Sequence, residues 1–136
     1  MPPEVTYDYA VIRVVPRVER GEQVNVGVIL SCVDDEFLAV RIEVDEARLR
    51  ALDPTLDLAA VRAALDLFPA VCAGGADAGP IGELPPRGRF RWLSSPRSTV
   101  VQVSPVHTGR TADPAAALQR LFERMVRTPS PEASSG

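Results

Sequence analysis

The chain has 136 residues, a net charge of −3, an apolar share of 46% and two cysteines. That is enough for one hydrophobic core and too little for two, and it excludes a chain too polar to fold. No apolar run approaches the roughly 20 residues that span a bilayer, and the Met1-Pro2-Pro3-Glu4 start lacks a signal-peptide pattern. The expected location is therefore the cytoplasm, with Cys32 and Cys72 as reduced thiols. No CxxC pair or His/Cys cluster is present, so neither a metal site nor a cofactor is expected.

In chain order, Tyr7–Val15 is rich in β-branched and aromatic residues and ends at Pro16, which predicts a strand apolar on both faces. Val24–Val33 and Phe37–Val44 predict two further strands, joined as an antiparallel hairpin by the polar Asp34-Asp35-Glu36 turn. Asp45 caps a short helix through Leu52. Asp57 caps a second, where Leu58, Val61, Leu65 and Phe68 form one apolar stripe and Pro69 should kink or stop the helix. Gly74–Pro80 reads as a flexible loop, prolonged by Pro85-Pro86, and Phe90–Trp92 fits either extended chain or one helical turn. Ser98–Val103 predicts a fourth main strand and Ser104–Gly109 a loop. Asp113 and Pro114 open a last helix with Leu118, Leu121, Phe122 and Met125 on its buried side. The sum is an α+β domain over residues 1–128, with a mostly antiparallel sheet of four to five strands, two main helices and one short one. Residues 129–136 read as a disordered tail.

Charge distribution carries the most functional information. All fifteen basic residues are arginine, a side chain that is always charged and grips anions through a planar fork of donors. Between Leu84 and Ala112 there is no acid, while Arg87, Arg89, Arg91, Arg97 and Arg110 contribute +5; the rest of the chain holds ten arginines and all eighteen acids. Phe90 and Trp92 are interleaved with these arginines. In an anion or nucleotide site, Arg89, Arg91 and Arg97 would hold phosphate, Trp92 would stack, and Ser98, Thr99 and His107 would orient the ligand. The alternative is that the arginines pair internally with acids from elsewhere and the aromatics lie in the core. Net acidity argues against nonspecific DNA binding, which needs a broad positive field. Arg17, Arg20, Glu22 and Asn25 form a second polar group beside Gly27, where a glycine inside a strand marks a bulge or a close approach.

Catalytic signals are weak. His107, the only histidine, follows Ser98 and Ser104, but no GxSxG turn exposes a nucleophile. Three consecutive carboxylates at Asp34–Glu36 cannot converge on one cation, and Gly74, Gly75 and Gly79 lack the strand and lysine of a phosphate-cradling loop.

Tyr9-Ala-Val-Ile-Arg-Val-Val-Pro-Arg-Val-Glu-Arg-Gly-Glu22, running into Asn25–Leu30, resembles the start of a bacterial family, domain of unknown function 3037. Phe90-Arg-Trp-Leu, Pro96–Val100, Ser104–Gly109 and Asp113-Pro114 resemble its second half. The likeness covers Tyr7 to Arg127. It implies no activity, cofactor or catalytic residue, but it does imply a regulatory or partner role beside HipA-like kinases. The leading expectation is a noncatalytic accessory protein that binds a protein partner, such as a HipA-like kinase, through the Arg-rich segment or an open sheet edge. A phosphate-bearing ligand or nucleic-acid end is the alternative. A hydrolase using His107 as general base is the weaker third reading.

Overall fold

The computed structural model describes residues 3–96 and 99–127. Five strands form one antiparallel sheet: β1 (Val5–Val14), β2 (Val24–Cys32), β3 (Phe37–Ile42), β4 (Val101–Val103) and β5 (His107–Thr111). Four α-helices accompany them: α1 (Glu46–Leu52), α2 (Leu58–Ala73), α3 (Pro86–Leu93) and α4 (Pro114–Met125). Val18–Arg20 and Ala76–Glu83 form 3-10 segments. The protein is α+β, with strand order β3-β2-β1 and with β4 and β5 both paired to the far side of β1. No single described helix is long and apolar enough to cross a membrane.

β1 is apolar on both faces because both are covered. On one face Ala10, Ile12 and Val14, with Val24, Val26 and Ile29 of β2, pack against Leu49 of α1, the Val61–Leu65–Phe68–Val71 stripe of α2, and Phe90 and Leu93 of α3. On the other, Val28 and Leu30 of β2 receive Ala117, Leu118, Leu121 and Phe122 of α4, with Tyr7, Tyr9, Phe37 and Ala39 at the margin. β2 serves both cores by ordinary alternation of its side chains, with one change of phase. The pairing with β1 shifts between Ile12 and Arg13, leaving Val26 without a partner, and the alternation inverts after it. Gly27 sits at this bulge because a Cβ there would lie 2.7 Å from the Arg41 carbonyl; the close approach is β3 backbone, with Ile42 and Ile12 next nearest.

Four features differ from the sequence expectation. α2 runs through Pro69 to Ala73, so of the expected kink or stop the stop does not occur. An interior proline costs about 3 kcal/mol, but Phe68 and Val71 are fully buried on either side of it, which offsets a loss of that size. Pro86 opens a helix instead of prolonging a loop: it occupies the first turn of α3, where the missing N–H costs nothing, so Phe90 and Trp92 are helical. The glycine-rich loop after α2 is largely a 3-10 segment, and the helix count rises accordingly. The fourth strand is short, only Val101–Val103, and the segment expected to be a loop after it contains β5. Pro105 does not end the pairing because Ser104 doubles its own: its N–H donates to the Val11 carbonyl at 2.8 Å, and its Oγ accepts the Val11 N–H at 2.8 Å. β4 and β5 are thus one edge strand, interrupted by a bulge that a serine hydroxyl bridges. The expected caps at Asp45, Asp57 and Asp113 all accept the N–H three residues on.

Candidate functional site

The arginines of the acid-free stretch do not converge. Arg89 turns inward: its Nη1 donates to the carbonyls of Val71 (2.8 Å) and Cys72 (2.6 Å), and its Nε to that of Leu84 (2.9 Å). Those carbonyls belong to the last turn of α2 and the segment before α3, so one guanidinium closes the helix end and fastens the glycine-rich connection. Arg87 lies 2.7 Å from Asp8 Oδ2, although its N–H bonds do not point along that approach, and stacks over Phe90. Arg91 and Arg110 are exposed and meet no carboxylate within ion-pair distance among the described residues. Trp92 is half-buried against the α2–α3 core. Arg97 and Ser98 lie outside the described residues.

The second polar group is also dispersed. Arg20 pairs with Glu22. Asn25 donates to the Met125 carbonyl at 3.0 Å, tying the C-terminus of α4 to β2. Arg17 reaches Asp53 at 3.5 Å. The Ser–His reading meets its obstacle at Ser104, whose Oγ is committed to the Val11 N–H and the Pro105 carbonyl. No described carboxylate or hydroxyl is hydrogen-bonded to His107; its ring lies 5.4 Å from that of Tyr9.

Two surfaces do assemble from these residues. The first is on the sheet face that carries α4. That helix packs mainly on β2 and β3, so the β1–β5 half is only partly covered, with Tyr7 and Tyr9 at the margin of the α4 core. There Tyr7, Tyr9 and His107 form a row, with ring centroids 6.1 Å and 5.4 Å apart. Tyr7 lies across Gly109, its partner on β5; a Cβ at Gly109 would come within 2.5 Å of the tyrosine ring. The glycine lets the aromatic lie flat across the strand pair, the cross-strand packing by which aromatics compensate for glycine at a sheet edge. Tyr7 and Tyr9 are half-buried, His107 is exposed, and Val106 beside it is 44% exposed. Among the described residues no strand pairs with the outer side of β5. Sequence reasoning singled out His107 here but missed Tyr7, Tyr9 and Gly109. The available signal was an alternate-residue tyrosine pair in β1 opposite a His-x-Gly in β5.

The second surface is a cleft of about 370 Å³ at the far end of the sheet. The Val15 N–H bonds the Val100 carbonyl at 2.7 Å, so the chain leaving β1 and the chain leading into β4 lie side by side. Asp53–Asp57, between α1 and α2, completes the mouth, and Ala60, Val61 and Ala64 of α2 form one wall. Thr99 is at the rim, its Oγ1 bonded to the Val101 carbonyl, and Arg17 borders it through Asp53. Asp53 is buried. Its Oδ1 accepts the Thr55 hydroxyl at 2.6 Å, the Thr55 N–H at 3.0 Å and Arg17. The Thr55 bonds first, then Arg17, hold its carboxyl below the usual carboxylate range. Cys72 is the other perturbed group: burial pushes its thiol up to about 12, against a smaller opposing pull from Arg89. Neither cysteine is in a disulfide.

A family model described as protein of unknown function (DUF3037) matches residues 9–126, from the middle of β1 to the end of α4. No curated protein and no solved structure matches.

Proposed function

The chain belongs to the DUF3037 family, whose description assigns no activity, and we propose from the geometry that it is a noncatalytic accessory domain that binds a protein partner on the β1–β5 half of its sheet. The observation that carries this reading is the row of Tyr7, Tyr9 and His107 beside an edge strand whose outer side has no described partner. Amphipathic aromatics on a rigid sheet offer large contact area at low entropic cost, and an unpaired edge adds main-chain hydrogen bonds when an extended segment lies along it. Of the basic stretch, Arg87 and Arg89 are engaged internally and stabilise the scaffold, whereas the exposed Arg110 lies on β5 itself and would border the contact surface.

A HipA-like kinase is the first partner to test. Tagged protein recovered from its native host should bring down one stoichiometric protein partner. Val106→Glu combined with His107→Glu, both exposed positions, should abolish that recovery while changing folding stability by no more than about 0.5 kcal/mol each. Recovery of the domain alone, or retention of the partner by the double variant, would overturn the proposal.

A further inference from the structure

The geometry points to a second, small-molecule site in the cleft between α2 and the start of β4, selective for a ligand with an ammonium head on an apolar body. This inference is independent of the partner surface, which lies on the opposite sheet face. The cleft's volume of about 370 Å³ falls in the range of small-ligand pockets, which are apolar inside with a few fixed polar groups. Leu56, Ala60, Val61, Ala64, Val100 and Val101 supply the apolar walls.

The polar group is Asp53, whose side chain is only 9% exposed. All its described hydrogen bonds fall on one oxygen, Oδ1; Oδ2 carries none among the described residues. The network that holds Oδ1 fixes the carboxylate's orientation and keeps it ionised. Asp53 lines the cleft, and a carboxylate oxygen with spare acceptor capacity there can take a donor, a charged donor giving the shorter and stronger bond. Asp57, also at the rim, spends Oδ1 on the Ala60 N–H. Among the described residues two carboxylates, Asp53 and Asp57, line the mouth, and one arginine, Arg17, is paired to the first of them, so these groups favour a cation over phosphate or carboxylate.

Titration with tryptamine, followed by amide chemical shifts in ¹⁵N-labelled full-length protein, tests the site. Tryptamine should shift the amides of Thr55, Val61 and Val101 saturably, while indole-3-propionate, of similar shape and opposite charge, should bind at least about tenfold more weakly. Asp53→Asn should weaken tryptamine by about the same factor. Because that change also disturbs the Thr55 turn, Ala64→Phe provides a second variant that fills the cleft without touching the carboxylate, and it should abolish the shifts. The inference fails if tryptamine gives no saturable shift at millimolar concentration. It also fails if the carboxylate analogue binds equally, or if Ala64→Phe leaves binding unchanged.

Discussion

Replacing Arg89 by alanine distinguishes a guanidinium that holds the fold from one that holds a ligand. The side chain makes three hydrogen bonds of 2.6–2.9 Å to carbonyl oxygens. A bond from a charged donor contributes about 1.5–3 kcal/mol, but three bonds from one group are not additive, and water can solvate part of what is freed. A net loss of about 3 kcal/mol follows. For a domain of this size that lowers the melting temperature by about 10 °C. The loss should also appear locally: the bonded carbonyls lie beyond Pro69, where the helix has already lost one backbone bond, so amide exchange across residues 70–75 should accelerate more than the global destabilisation accounts for. Arg91→Ala is the control, exposed and without a described ion pair, and should stay within about 0.5 kcal/mol of wild type. The measurement is urea unfolding of both variants with peptide-resolved exchange. If Arg89→Ala unfolds at the same urea concentration as Arg91→Ala, the internal role assigned to Arg89 is wrong.

Three further outcomes follow from single sites. Ser104→Ala leaves the buried Val11 N–H without its 2.8 Å acceptor and should cost about 1–3 kcal/mol, read by denaturant unfolding, with faster exchange at Val11. Gly109→Ala brings a methyl group against the Tyr7 ring and should cost about 1–3 kcal/mol and alter the near-ultraviolet tyrosine signal. A Gly109→Ala variant with both unchanged would contradict the flat aromatic packing. Asp53 has a lowered folded pKa, so its contribution to stability is complete above the unfolded carboxylate value and is lost as pH falls through the folded one. Unfolding free energy should therefore drop on acidification below about pH 4, with a shallower drop in Asp53→Asn.

The core was legible in the sequence because its signals are local and apolar. β1, the β2–β3 hairpin, the α2 and α4 stripes and three aspartate caps follow from periodicity and capping chemistry alone. The misreadings arise where a distant group replaces a local bond. Pro69 reads as a kink or a stop, and the stop is set aside once Phe68 and Val71 are seen buried on either side of it, with Arg89 closing the last turn. Ser104–Gly109 reads as a loop until Ser104 is seen to satisfy both Val11 backbone groups and carry the pairing on to β5. The composition of β5, His-Thr-Gly-Arg-Thr, lacks apolar alternation because its glycine yields to a tyrosine from the neighbouring strand.

The candidate sites were legible only in pieces. The uneven charge of residues 84–112 drew attention to arginines, two of which turn out to be internal ties. Linear charge does not report where a long side chain ends, and Arg89 reaches carbonyls seventeen and eighteen residues back. Thr99 lines the cleft and Arg17, 82 positions away, pairs with its Asp53, because the hydrogen bond between Val15 and Val100 sets the chain after β1 beside the chain before β4. The tyrosine row went unnoticed since alternating aromatics in a strand ordinarily signal core.

Hydrogen–deuterium exchange on the complex with its stoichiometric protein partner tests the docking surface most directly. Amides of Val106–Thr111 should become protected as an extended segment pairs with the edge, while those of α3 exchange as in the free protein. Protection confined to α3 and its arginines, with β5 unaffected, would contradict the account.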